Sequence, residues 1–369
     1  MKIKIASSIK TEIADNLKEL ESQFEGFEKK LVLFFASSIY NPQQLSEEFD
    51  KTFKGVQTFG CSTSGEIISG KLMKNSIVAM AFDGDAVKNI KIEIMENISK
   101  DHNISKAFES FEKHYNTPMK NMDFMKYLGI ILIDGLSGCE EKIMEQIGAM
   151  TNVIFIGGSA GDDLKFKTTY VYANGKSYAN AALLALMEPG MNFDFIKTQS
   201  FCELQKKLVA TSVNEENREV MEFNGKPAKV AYAEALRIAE NEISDHFMSN
   251  PVGLMVEDEP YVRSPQQISG NGIKFYCNVL KDMELSVLKS TDIVNDTKKA
   301  INDYIKSKGN IAALINFHCI LRTLDLEKSG RTDDYGMIFK DIPTIGFSTY
   351  GEQYIGHINQ TSTMIAFYL

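Results

Sequence analysis

Tryptophan is absent from this chain of 369 residues, and histidine and cysteine occur only five times each. The cysteines, Cys61, Cys139, Cys202, Cys277 and Cys319, are odd in number and form no Cys-x-x-Cys pair. That excludes a disulfide framework and a structural zinc site, and it predicts reduced thiols in a cytosol. No two histidines stand at His-x-x-x-His spacing, and no Gly-x-x-x-x-Gly-Lys-Ser/Thr loop is present, so zincin and P-loop chemistry are excluded. No run approaches the roughly 20 apolar residues of a membrane helix, and the N-terminal residues lack the apolar stretch of a signal peptide. The expectation is a cytoplasmic protein without a membrane partner. Basic residues are scattered, at most in pairs such as Lys29-Lys30 and Lys298-Lys299, and the formal net charge is −9. With no cationic stripe to neutralise phosphates, nucleic acid is excluded as a partner.

What the chain does have is core-forming material: 44% of its residues are hydrophobic. The length suits two domains. A weakening pattern after the turn Glu188-Pro189-Gly190 places their boundary near residue 200, giving halves 1–200 and 201–369. The spacing of Ile13, Leu17, Leu20 and Phe24 predicts a helix with Thr11 as its cap. Apolar blocks at 31–36, 129–133, 181–187 and 311–317 read as buried strands. Helices are expected at 42–53, 140–150 and 228–239, and antiparallel strands across 249–283. The fold class is α/β, with mixed α and β elements, mixed sheets and internally duplicated units.

The duplicated unit is a strand running into a glycine–hydroxyl loop: Gly60-Cys61-Ser62-Thr63-Ser64-Gly65-Glu66, then Gly157-Gly158-Ser159-Ala160-Gly161-Asp162, then Gly346-Phe347-Ser348-Thr349-Tyr350-Gly351-Glu352. Such loops at the carboxyl ends of strands favour ligands. Their hydroxyls and amides can receive a carboxylate, and Glu66 or Glu352 can accept from an ammonium. Together these suit a zwitterion such as an amino acid. The alternative is ordinary turn chemistry. Gly157-x-Ser159-x-Gly161 fits a nucleophile elbow, but the residues after it do not read as a helix, which sets a hydrolase aside. Cys61 and Cys319 stand at strand ends near the loops, as small packed residues or as thiols. His318 is either a satisfied core residue or an axial ligand to haem.

The three loop motifs, with Cys319-Ile320-Leu321-Arg322, Val262-Arg263 and Asn359-Gln360-Thr361-Ser362-Thr363, resemble the N- and C-terminal halves of the FIST domain over nearly the whole chain. The resemblance implies an intracellular small-molecule sensor in signal transduction, probing an amino acid or similar ligand without catalysis. It needs no cofactor. Output would pass to a separate signalling protein of the kinase, cyclic-dinucleotide enzyme or chemoreceptor type, or through a homo-oligomer. The alternatives it implies are a haem-binding nitric-oxide sensor, with His318 or His246 as axial ligand, and a protein-interaction adaptor. The ligand-binding candidates are Cys61, Ser62, Thr63, Glu66, Ser159, Asp162, Cys319, Arg322, Ser348, Thr349 and Glu352, with no metal ligand among them. Arg322 would supply a forked donor to a carboxylate.

Overall fold

A computed structural model describes residues 2–257 and 259–368. They form two compact units. One comprises residues 1–197, 298–357 and 362–369, and the other residues 198–297 and 358–361.

The first unit repeats one plan three times. The first copy runs edge strand Ile3–Ser8, helix Ile13–Gln23, strand Leu31–Ser37, helix Pro42–Thr52, strand Gln57–Thr63, hairpin Glu66–Ile68 and Lys71–Met73, and return strand Ile77–Phe82. The second runs Val87–Glu96, Ser105–Tyr115, Leu128–Ile133, Glu140–Met150, Phe155–Ser159, the hairpin Val171–Ala173 and Lys176–Tyr178, and Ala181–Pro189. The third begins at Asn192–Gln199 and resumes after the second unit at helix Ile293–Lys308. It continues through Ile311–Cys319, helices Ile320–Lys328 and Thr332–Met337, strand Thr344–Thr349, hairpin Glu352–Tyr354 and His357–Ile358, and return strand Thr361–Tyr368. In each copy the two inner strands are parallel and joined by a helical crossover, while the return strand is antiparallel.

Each copy builds four strands of a six-stranded sheet, and the last two strands are the hairpin of another copy. The first copy's hairpin completes the third sheet, the third copy's hairpin completes the second, and the second copy's hairpin completes the first. The exchange is therefore cyclic. The inner faces of all three sheets meet in one apolar core, where Phe35 packs on Phe347 with ring centroids 4.5 Å apart and on Phe317 at 6.3 Å. Helices cover the outer faces, burying Leu17, Leu45 and Phe49 in the first copy and Phe108, Phe111 and Ile143 in the second.

The glycine motifs begin inside strands, not after them. Built on Gly60, a Cβ would lie 1.9 Å from the carbonyl oxygen of Phe34; on Gly157, 1.6 Å from that of Ile131; on Gly346, 2.2 Å from that of Asn316. In all three copies the first glycine lets the second parallel strand press against the carbonyl of the first.

Thr11 is not the cap of the first helix: that helix starts at Ile13, with Glu12 at the cap position and no side-chain cap bond. Asn16 takes over, accepting from the Lys10 amide at 2.9 Å and donating to the Lys10 carbonyl at 2.7 Å. The second unit is antiparallel, an eight-stranded sheet around the fourteen-residue strand Phe201–Asn214, with helix Ala228–Leu236 on a core that includes Phe223 and Tyr232. As the turn Asn224-Gly225 predicts, both residues take positive φ, 53° and 72°, between Glu219–Phe223 and Lys226–Pro227. No helix among the described residues is long and apolar enough to cross a membrane.

Candidate functional site

The three glycine–serine motifs converge at the carboxyl ends of the parallel strands. Ser64 N donates to Ser348 O at 3.3 Å and Ser348 N to Gly65 O at 2.8 Å. Tyr350 N donates to Ser159 O at 3.2 Å and Ser159 N to Gly351 O at 2.8 Å. Gly161 N donates to Ser62 O at 2.9 Å and Ser62 N to Tyr170 O at 2.9 Å. The same pair of bonds thus closes each of three junctions. At the third junction the acceptor is Tyr170 because the loop 162–169 is inserted after Gly161.

Every candidate residue is buried here, and the hydroxyls of Ser62 and Thr349 reach neighbouring copies. Ser62 Oγ donates to Gly161 O at 2.9 Å and accepts from Tyr170 N at 3.0 Å. Thr349 Oγ1 bonds Ser159 O and Gly351 O, both at 2.8 Å. Ser159 Oγ lies 3.4 Å from Glu140 Oε1 and accepts from Gln353 Nε2 at 3.0 Å; its strand leads to a hairpin, without the helix a nucleophile elbow needs. Glu66 accepts from Thr63 Oγ1, from Ser76 N at 3.1 Å and from Ser76 Oγ at 2.5 Å. Burial outweighs those bonds and pushes its carboxyl up to about 7. Glu352 is fully buried on the strand paired with Phe155–Ser159. Burial, and then the charge of Glu66, push the Cys61 thiol up, so it is not a nucleophile; Cys319 is likewise buried.

Asp162 anchors the inserted loop. Its carboxylate accepts from the amides of Phe166, Lys167 and Thr168 at 3.0, 2.7 and 3.2 Å and from Tyr350 Oη at 2.5 Å. Despite its burial, those bonds lower its pKa. Tyr350 Oη also accepts from Leu164 N at 2.7 Å, and Phe166, 55% exposed, stacks on the Tyr350 ring. The phenol thus ties the loop to the third copy, beside the Asp162 carboxylate and the bond from Asp163 N to Ser64 Oγ at 3.0 Å. Tyr350→Phe is expected to speed tryptic cleavage after Lys165 or Lys167 about tenfold while barely moving the urea midpoint; unchanged cleavage would show that the phenol does not hold the loop.

The three copies act as controls for one another, and they single out the third. Pairing places Phe34, Ile131 and Asn316 at equivalent positions opposite the motif's first glycine, and Ala36, Ile133 and His318 opposite its serine. On the return strands, Ile77, Ala182 and Ser362 are equivalent in the same way. Where two copies pack hydrocarbon, the third buries an amide, an imidazole and a hydroxyl. They are connected: Ser362 Oγ donates to Asn316 Oδ1 at 2.7 Å, Asn316 Nδ2 to Tyr335 Oη at 3.2 Å, and Tyr335 Oη lies 2.9 Å from His318 Nδ1. Alongside, Thr323 Oγ1 meets Ser348 Oγ at 2.7 Å, next to Arg322, which is only 2% exposed. Burial, and then the charge of Arg322, hold the His318 imidazole well below its usual range, so it is neutral, and its Nε2 has no hydrogen-bond partner among the described residues.

Sequence reading finds His318, Arg322 and Ser348 but misses Asn316, Thr323, Tyr335 and Ser362. The signal for their role lies in the registered comparison of copies. A haem against His318 does not fit this packing, because the ring is fully buried with Tyr335 at a centroid distance of 4.5 Å. His246 sits on a four-residue helix of the second unit with Nδ1 3.1 Å from Asn250 Oδ1. Among the described residues no three His, Cys, Asp or Glu side chains cluster to hold a metal.

Comparison with known proteins gives two family matches: the FIST N domain over residues 30–226 and the FIST C domain over residues 228–355. An uncharacterized protein of Methanocaldococcus jannaschii is 22% identical over 327 residues, covering 83% of this chain and 63% of its own length. The match thus spans less than two thirds of that relative.

Proposed function

The chain belongs to the FIST family, whose domains are associated with sensory signal transduction, and we propose that it senses a small ligand without transforming it. The ligand class is an amino acid or a similarly small carboxylate-bearing zwitterion. The observation that carries this reading is the buried polar cluster confined to the third copy, Asn316, His318, Arg322, Thr323, Tyr335 and Ser362, set beside the recurring Ser348. Burying such groups costs free energy that two sister copies avoid with Phe, Ile and Ala. A cluster kept at that cost is best explained by recognition. Arg322 supplies the fork for a carboxylate, the hydroxyls of Thr323 and Ser348 supply further bonds, and neutral His318 offers Nε2 to a donor such as an ammonium. The helices Ile320–Lys328 and Thr332–Met337 close over this cluster, so ligand entry moves them, and that movement is the signal passed to a separate protein in the cytoplasm.

A thermal-shift panel of the twenty amino acids and related organic acids tests this. At one hundred times its Kd a ligand adds about 2.7 kcal/mol, a rise of several degrees in Tm. The expected result is a rise with one ligand class that disappears in Arg322→Gln, whose own ligand-free Tm reports its folding. A flat panel with the intact protein overturns the reading.

A further inference from the structure

A second feature lies at the opposite end of the sheets, where the parallel strands begin. A cleft of about 520 Å³ opens there between the chain start, the first residues of Val87–Glu96, the turn before Leu128–Ile133, the turn 188–193 and the end of the last strand. That volume is in the range of small-molecule sites. Its wall is built firmly. The register of Ala181–Pro189 shifts between Glu188 and Pro189, Gly190 N donates to Ala86 O at 2.8 Å, and a Cβ on Gly190 would lie 1.9 Å from the Asp85 carbonyl oxygen.

The lining holds three lysines, Lys2, Lys88 and Lys126, two carboxylates, Asp123 and Glu188, and an apolar group. Lys126 is used by Glu188, 3.1 Å away, and Asp123 Oδ1 accepts from Met125 N at 2.9 Å. Lys2 and Lys88 make no ion pair with any described residue, and Lys30, outside the lining, donates to the backbone carbonyl of Lys88 at 2.5 Å. This gathering of unpaired cations stands out in a chain of net charge −9. The same cleft is also lined by Met125, Met191, Phe193 and Tyr368, with Met125 71% exposed. Thioethers and rings of this kind adapt to flat apolar bodies.

We infer that this cleft is a second ligand site, taking a small amphipathic organic anion whose carboxylate or phosphate head meets Lys2 and Lys88 and whose apolar body lies against Met125, Met191 and Phe193. The site is independent of the buried cluster in the third copy. Calorimetric titration of the full chain with 1-naphthoate and phenyl phosphate tests it, with neutral 1-naphthamide and inorganic phosphate as controls. At least one organic anion should bind ten-fold or more tightly than both controls. Its affinity should fall at least ten-fold in the double variant Lys2→Gln, Lys88→Gln and stay unchanged in Arg322→Gln. The two arms tell whether the head is a carboxylate or a phosphate. Both lysines are at the surface, so the variant keeps the wild-type Tm. No heat with either organic anion, equal binding of naphthamide, or undiminished affinity in the double variant would each overturn the inference. None of these outcomes bears on the amino-acid panel.

Discussion

Gly157→Ala is expected to lose about 4 kcal/mol or more of stability, enough to unfold much of the population at moderate temperature. The added methyl would stand 1.6 Å from the Ile131 carbonyl oxygen, a backbone atom in the middle of a parallel pair whose strands cannot part without breaking the ladder. Gly60→Ala and Gly346→Ala meet the same obstacle at 1.9 and 2.2 Å, so their losses should follow in that order. Gly148→Ala is the control. It lies in helix Glu140–Met150 with nothing within 4 Å of the added carbon, so the change should stabilise by about 1 kcal/mol through helix propensity. Urea midpoints of the four variants decide the matter. A Gly157→Ala protein within about 1 kcal/mol of wild type would show that the strands are not pressed together by design of the motif.

The same motif shows what the sequence could and could not reveal. Its three occurrences, each beginning within a strand, were legible, because glycine and hydroxyl residues interrupt the hydrophobic pattern at matching points. The buried strands Leu31–Ser37, Leu128–Ile133 and Ile311–Cys319 and the helix Glu140–Met150 were legible for the same reason: long, uninterrupted periodicity. The cyclic exchange of hairpins was not. A three-residue strand such as Glu66–Ile68 carries no mark of which sheet it will join, since backbone hydrogen bonds do not depend on side-chain identity. The strand–loop plan was legible three times, but the third copy's edge strand Asn192–Gln199 and helix Ile293–Lys308 were masked, because the second unit interrupts the copy between them.

Of the polar cluster, only residues in or next to a motif could be noticed. His318, Arg322 and Ser348 stand out beside Cys319 and Gly346, and Ser362 lies within Asn359-Gln360-Thr361-Ser362-Thr363, whereas Asn316 looks like one polar residue in an apolar strand and Tyr335 comes from a segment distant in sequence. Their kinship appears once strand pairing sets Asn316 beside its counterparts Phe34 and Ile131. Register supplies here what a single sequence lacks: two internal examples of the same position doing purely structural work. The contrast also separates two kinds of buried polar group. Ser62, Ser159 and Ser348 recur in every copy at the junctions, so their first duty is to the fold. Asn316, His318 and Ser362 occur in one copy only, and the fold demonstrably closes without them in the other two.

Glu66 has a counterpart in Glu352, while Val171 stands at the same position of the second copy, and its ionisation should be visible in stability. Its carboxyl is held at about 7, above the ordinary 4.5, because it is fully buried, and the bonds from Ser76 and Thr63 offset only part of the desolvation. The folded state therefore prefers the protonated acid. The preference is fully present below pH 4.5 and is lost as pH rises through about 7. The difference between the two values corresponds to about 3 kcal/mol. Glu66→Gln imitates the protonated acid, with its amide oxygen placed to accept from Ser76 and its amino group to face Thr63. The variant should match wild type near pH 4 and exceed it by about 3 kcal/mol at pH 8. Measuring urea unfolding of both proteins across this range removes the contribution of every other titrating group, since only the difference matters. Parallel profiles would mean that Glu66 carries its charge in the folded state without penalty, and that the junction tolerates a buried carboxylate which the geometry says it should reject.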